Sequence, residues 1–442
     1  MPDQSLDFQI EQLGHCDFPS PMLGVQFVGD SDRLLYHSRA EDLRPFFATE
    51  LEPPAMELAG PRQQIFFDRH TLSCGIVSCG GLCPGINNVI RAVVMSLYHH
   101  YGVQNILGFR YGFKGLVKRH GHAPISLSPD AVNHISELGG TVLASSRGPE
   151  DVAEMVDYLQ ELGIGILFVI GGDGTLKGAA AIADEVRRRG LPLSIIAIPK
   201  TIDNDICFVN KTFGFETAVA EAQRAIDAAH AEAIGAFNGI GLVKLMGRDS
   251  GFIAAHATLV NGQVNFCLVP EVSINPQTLL CKLEERLARR GHAVIVVAEG
   301  AGQELMPATG KRDSSGNAQL GDIGGWLRNT ITGYFAQKGT ELTLKYIDPS
   351  YIIRSQPANA HDSAFCLLLG HNAVHAGMSG RTSMVMGSWN NQFTHVPITL
   401  ATRQRKMIDP KGWFWSSVLA STGQQAEISG CGQADQTCRA RQ

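Results

Sequence analysis

Residues 166–178 read ILFVIGGDGTLKG, a run of buried-strand character that ends in Gly171, Gly172, Asp173, Gly174 and Thr175. Glycines lack Cβ atoms, so backbone N–H groups can approach an anion closely, and a helix starting near Thr175 turns its positive end toward the same point. A carboxylate is poorly placed in such a loop unless a cation stands between it and the anion, and Mg²⁺ takes oxygen ligands of this kind. The stretch reads as a phosphate and magnesium site at a strand end. A tight strand-to-helix turn with a solvated Asp is the competing reading of these residues alone.

The same texture extends outward on both sides. TLSCGIVS runs into CGGLCPG, and the following INNVIRAVVMSLYHH places Ile86, Val89, Ile90, Val93, Val94 and Leu97 on one helical face. NILGF predicts a strand, Ser128 the cap of a helix, and TVLASS a strand leading into Arg147; LSIIAIP ends in the loop KTIDND. A second set follows from Phe213, with strands predicted at IGLVKLMG, NFCLVPE and AVIVVAEG. Alternation of this length predicts an α/β protein of two Rossmann-like lobes, with mainly parallel sheets covered by helices. Ligands then bind beyond the carboxyl ends of the strands, which is where the polar loops fall.

A chain of 442 residues favours two lobes, here 71–212 and 213–354. Residues 1–70 read as an N-terminal extension interrupted by prolines, 355–420 as a segment returning to the lobes, and 421–442 as a frayed tail. Residues 301–322, rich in Gly and polar side chains, read as a loop. With 44% hydrophobic and 18% charged residues and a net charge of −5, the chain does not resemble a disordered segment or a general nucleic-acid or acidic-membrane binder. No run of about 18 apolar residues predicts a membrane span, and no signal-peptide pattern opens the chain. A cytoplasmic protein with a small-molecule partner is the expectation. The ten cysteines show no paired zinc spacing.

Lys200, Thr201, Ile202, Asp203, Asn204 and Asp205 place two carboxylates two residues apart in one turn. One can act as a base while the other supports the turn or a metal, as a hydroxyl nucleophile requires; an Asx-type turn is the plainer alternative. Gly80, Gly81, Leu82, Cys83, Pro84 and Gly85 open a helix as a second phosphate cradle, although neither GxxxxGK[ST] nor GxGxxG is present. Arg147 and Arg248 follow strands and carry forks suited to phosphoryl oxygens. Lys345, Tyr351 and Arg354 in KYIDPSYIIR offer cations and a hydroxyl for a sugar phosphate.

Taken in order, GGLCPGINN, SSRGP, GGDGT, PKTIDND, MGRDSG, PEV and YIIR resemble the motif series of the phosphofructokinase family, over residues 71 to about 385. The resemblance is closest to its long plant and trypanosome-type ATP-dependent branch. It implies that Asp203 takes the proton from the 1-hydroxyl of fructose 6-phosphate, that Thr201 touches the transferred phosphoryl group, and that Arg248 neutralises the transition state. It implies Asp173 as the Mg²⁺ ligand, and Gly81, Arg147, Gly172, Gly174 and Thr175 as the lining of the donor site. Met246, Gly247 and Glu271 are then expected to hold the sugar, and Lys345, Tyr351 and Arg354 its 6-phosphate. A homo-oligomer, dimer or tetramer, is implied as well, although Gly239 stands where short bacterial members carry an Arg that reaches a neighbouring subunit.

The donor is read from two residues. Family members that use ATP tend to carry Gly at the position of Gly174, and pyrophosphate users carry Asp there and Lys at the position of Lys200. Gly174 leaves room for a nucleoside and Lys200 suits either donor, so the expectation is ATP, with pyrophosphate as the alternative. Another GGDGT kinase leaves TIDND, MGR and PEV unexplained. A noncatalytic sugar-phosphate or nucleotide sensor has no need of a base at Asp203.

Overall fold

The computed structural model describes residues 6–49, 51–308, 310–312 and 318–424. Most of the predicted tail at 421–442, and the centre of the predicted loop at 301–322, lie outside the described residues. The chain divides into two compact units, one of Met1–Gly214 with Ser355–Gln404, the other of Phe215–Arg354 with the chain from Arg405. No helix among the described residues is long and apolar enough to cross a membrane.

The first unit is built on a nine-stranded sheet in the order Arg33–Leu35, Ala55–Leu58, Gln392–Pro397, Met384–Trp389, Ser194–Pro199, Ile164–Gly171, Ser73–Ser78, Asn105–Phe109, Ile125–Ser126. The five strands from Met384–Trp389 to Asn105–Phe109 are mutually parallel, and the outer strands are antiparallel. Central strands covered on both faces have no polar face, which is why SCGIVS and SIIAIP are buried throughout. Alternate residues feed two cores. Ile166, Phe168 and Ile170 join Val89, Val93 and Leu97 on one face, while Leu167 and Val169 join Leu176, Ile182 and Val186 on the other. Register pairs Ile170 with both Ser78 and Ile198, so three strands end level and deliver their loops to one edge.

One expectation fails here. TVLASS is not a strand: Gly140 and Ala144 take left-handed φ of 78° and 52°, and the Val142 N–H donates to Asn87 Oδ1 (2.9 Å) rather than to a neighbouring strand. The helix at Ser128 is only Pro129–Val132, although the Ser128 hydroxyl does accept from the Ala131 N–H (3.2 Å). The N-terminal residues contribute two strands to the large sheet. Glu57, buried on Ala55–Leu58, accepts from Arg62 (2.9 Å) and Arg381 (2.9 Å) and lies 3.2 Å from His395 Nδ1, which ties this extension to the C-terminal strands. Burial opposes ionisation of Glu57, but His395 and the two guanidinium groups outweigh it and hold the carboxyl well below its ordinary range.

The second unit carries a parallel four-stranded sheet in the order Phe266–Leu268, His292–Ala298, Gly239–Leu245, Thr343–Ile347. Its core gathers Leu242, Ile295 and Val297 with Leu283 of helix Pro276–Arg290 and Leu327 and Ile331 of helix Ile323–Gln337. NFCLVPE forms only the short strand Phe266–Leu268.

In the first unit, His371 and His375 of helix Ala360–Met378 face His100 of helix Ile86–Tyr101, with His375 Nδ1 2.8 Å from the Tyr101 hydroxyl. Burial, reinforced by the neighbouring His100, lowers the pKa of His371 to about 4 and of His375 to about 3. The unfolded chain takes up these protons near pH 6.5 and the folded chain only much lower, so stability is lost as pH falls through this interval. Urea unfolding between pH 6.5 and 4 should show this loss, of order 2–3 kcal/mol for a fully buried imidazole. His375→Gln, which keeps a partner for Tyr101 and does not titrate, should remove its own share and leave that of His371.

Candidate active site

Strand Ser194–Pro199 delivers Lys200 to the level edge of the first unit's sheet. Its side chain is buried, and Nζ donates to the Gly81 carbonyl (2.7 Å), joining two loops far apart in sequence. A Cβ on Gly80, whose φ is 89°, would sit 3.1 Å from that ammonium, and one on Gly81 3.1 Å from the Arg147 guanidinium. One on Gly172 would lie 3.2 Å from the Lys200 carbonyl. Gly81, Arg147, Gly172 and Lys200 are thus brought together. Burial pushes the Lys200 pKa down and Arg147 adds to this, while the Asp203 charge opposes it. Cys79 stays a neutral thiol beside it, pushed up to about 12 by burial.

Helix Asp173–Arg188 starts at this edge. Thr175 is buried beneath Gly171, where an added Cβ would meet its side chain at 2.3 Å. Asp173 occupies the first turn, favourable for a carboxylate, and accepts from Lys177 Nζ (3.0 Å). A Cβ on Gly174 meets nothing within 4 Å, and Gly174 has no positive φ. The fold does not require glycine there. Asp173 fits Mg²⁺ as a single carboxylate ligand, since this ion is held by one or two carboxylates with phosphate oxygens and water completing its shell. No cluster of three or more His, Cys, Asp or Glu able to cage a metal occurs among the described residues.

The loop after Lys200 divides its labour. Asp205 is buried and accepts from the Thr201 hydroxyl (2.8 Å), and Thr201 Oγ1 accepts from the Asp203 N–H (3.2 Å). Asn204 takes φ 54°, accepts from the Thr212 N–H (3.1 Å) and donates to the Asn210 carbonyl (3.2 Å). Asp205 and Asn204 brace the turn, and Asp203, half-buried, is carried on it.

In the second unit, Met246, Gly247 and Arg248 follow strand Gly239–Leu245. Gly247 has φ 131°, and a Cβ on Gly300 would lie 1.8 Å from the Arg248 carbonyl, so two backbones cross here at contact distance. Arg248 donates to the Ala318 carbonyl. Glu271 accepts from the N–H groups of Gly251 (3.0 Å) and Ile408 (2.9 Å), fixing the start of helix Phe252–Val260; burial raises its pKa against those bonds. Arg354 stacks 4.3 Å over the exposed ring of Tyr351. Lys345 instead pairs with Glu232 at 3.8 Å. Glu299, which sequence reasoning passed over, is half-buried at the end of strand His292–Ala298, its pKa raised by burial and pulled back by Lys244, Arg248 and Arg354. An acid directly after the apolar run AVIVVA was the available signal.

The model of the family described as phosphofructokinase matches residues 73–377. The chain belongs to the phosphofructokinase family. It is 46% identical over 440 residues to the ATP-dependent 6-phosphofructokinase of Borreliella burgdorferi, covering 96% of this chain and 98% of that protein. The Trypanosoma brucei brucei protein of the same description is 43% identical over 425 residues, covering 94% of this chain and 87% of its own. Among solved structures, the pyrophosphate-dependent phosphofructokinase of Marinobacter aquaeolei superposes with a TM-score of 0.66 over 79% of this chain and 91% of that one, at 19% identity. That similarity is one of fold.

Asn204→Ala should lose two buried hydrogen bonds and strain a left-handed position, costing roughly 2–4 kcal/mol in urea unfolding, with Asn204→Gly recovering about 1 kcal/mol of it.

Proposed function

We propose that this chain is an ATP-dependent 6-phosphofructokinase, transferring the γ-phosphoryl group of ATP to the 1-hydroxyl of fructose 6-phosphate. The observation that carries it is the junction, in one unit, of a cationic glycine edge (Gly81, Gly172, Lys200) with a braced turn presenting Asp203. Such a site catalyses by position and charge rather than through a covalent intermediate. Asp203 accepts the proton of the attacking hydroxyl, its direction set by the Thr201–Asp205 bond. Lys200 and Arg147 hold donor phosphate oxygens, with Gly81, Gly172 and Thr175 lining the same edge. Asp173 would hold Mg²⁺, which supplies charge neutralisation on the phosphates when bound.

Thr201 touches the transferred group in this assignment; in the second unit, Arg248 supplies neutralising charge and Met246 and Gly247 shape the sugar site. Tyr351 and Arg354 take the 6-phosphate, with Lys345 adding positive charge to that part of the unit. Because the Glu271 carboxylate is committed to backbone N–H groups, we assign it to holding the loop and give the direct sugar contact to Glu299. The open space at Gly174 supports ATP over pyrophosphate, as do relatives described as ATP-dependent over nearly the whole chain. We place the enzyme in the cytoplasm as a homo-oligomer, dimer or tetramer, by its resemblance to the family.

A coupled aldolase assay with Mg²⁺, run in parallel with ATP and with pyrophosphate, should give fructose 1,6-bisphosphate from ATP; turnover with pyrophosphate alone would reverse the donor assignment. Asp203→Asn should lower kcat by roughly 10²–10⁴ with KM for ATP little changed. Gly174→Asp should fold with stability equal or higher by a few tenths of a kcal/mol, since Asp suits a first helical turn better than Gly, while ATP turnover falls at least about tenfold.

A further inference from the structure

We infer that Lys244 is a positioning residue of the sugar-phosphate half-site, holding the short helix that bears Tyr351 and Arg354 in its working place. The inference rests on the function proposed above.

Lys244 is the one residue of strand Gly239–Leu245 that is not fully buried, and an ammonium in a central strand is costly unless it reaches partners. Its side chain is 17% exposed, and Nζ lies 2.9 Å from Asp348 Oδ2 and 3.6 Å from Asp322 Oδ1. Burial opposes its charge, but Asp348 and Tyr346 raise its pKa above the usual lysine value, so it stays charged.

The other oxygen of Asp348 accepts from the Ser350 N–H (3.1 Å) and hydroxyl (2.6 Å), which starts helix Ser350–Arg354. Five residues do not hold a helix unaided. Only Ile353 of this helix is buried, so its place depends on what fixes its first turn, and Lys244 fixes Asp348 from a rigid strand end. On that helix Arg354 lies over Tyr351. The register places Lys244 opposite Val297, two residues before Glu299, and its charge favours the ionised form of that acid. One cation thereby sets the start of the phosphate-holding helix, and it is one of three that partly offset the effect of burial on Glu299.

The test is steady-state kinetics of Lys244→Met, Lys244→Arg, Asp348→Asn and the Lys244→Met/Asp348→Asn double variant, varying fructose 6-phosphate at saturating ATP and the reverse. Lys244→Met should raise KM for fructose 6-phosphate about tenfold or more, leave KM for ATP within about twofold and kcat within about threefold, and Lys244→Arg should recover most of the loss. The double variant should be no worse than the worse single, because both act through one contact. Should Lys244→Met fail to fold, Asp348→Asn reads the same split. An unchanged KM for fructose 6-phosphate in folded variants, equal rises for both substrates, or effects that multiply in the double variant would overturn the inference. Wild-type protein that turns over fructose 6-phosphate with neither donor would remove the proposed function itself.

Discussion

One buried ammonium organises the first unit's functional edge. Lys200 Nζ, donating to the Gly81 carbonyl, ties the loop after one parallel strand to the loop after another, and the glycines around it are small because the ammonium and the Arg147 guanidinium fill the space where side chains would stand. A buried lysine is costly unless its donors are satisfied and a counter-charge lies near, and here burial does press its pKa downward. In the function proposed above, a donor phosphate completes that environment rather than disturbing it. The same residue begins the turn that carries Asp203, so the proposed phosphate and proton-accepting groups share one backbone anchor.

The second unit uses charge differently. Four cations near its loops each have a fixed partner: Lys244 has Asp348, Lys345 has Glu232, Arg248 has the Ala318 carbonyl and Arg354 has the Tyr351 ring. In the function proposed above, side chains held in this way reduce the ordering entropy lost on binding. Glu271 shows the same economy, spending its oxygens on the N–H groups of Gly251 and Ile408 and so fixing backbone rather than substrate.

What was legible in the sequence was what depends on local chemistry. Central parallel strands are covered on both faces, so TLSCGIVS, ILFVIGG, LSIIAIP, IGLVKLMG and AVIVVAEG announce themselves as apolar runs, and their polar ends mark the binding edge. TVLASS misled because its apolar residues pack into the core from an irregular segment, with Asn87 supplying the hydrogen bond a strand would have provided. The hairpin Met384–Trp389 and Gln392–Pro397 was not read, although Asn390 and Asn391, both at positive φ, are a turn signal of the expected kind. The N-terminal strands were hidden for a different reason. Their attachment runs through Glu57 to Arg381 and His395, more than three hundred residues away, and no local pattern encodes such a pairing. Likewise TIDND offers two carboxylates, and only the 2.8 Å bond from Thr201 tells that Asp205 is the one bracing the turn.

Gly174 is unlike the other glycines at the first unit's edge. Gly80, Gly81, Gly171 and Gly172 each have a neighbour within contact of a notional Cβ, whereas at Gly174 there is only open space and an unstrained helical backbone. Folding therefore places no demand for glycine at this position, and in the donor assignment proposed above the demand comes from the ligand. On that assignment a lineage can change donor preference there through single substitutions that leave the folded state as sound as before, which makes this residue a point of evolutionary lability set inside an otherwise rigid frame.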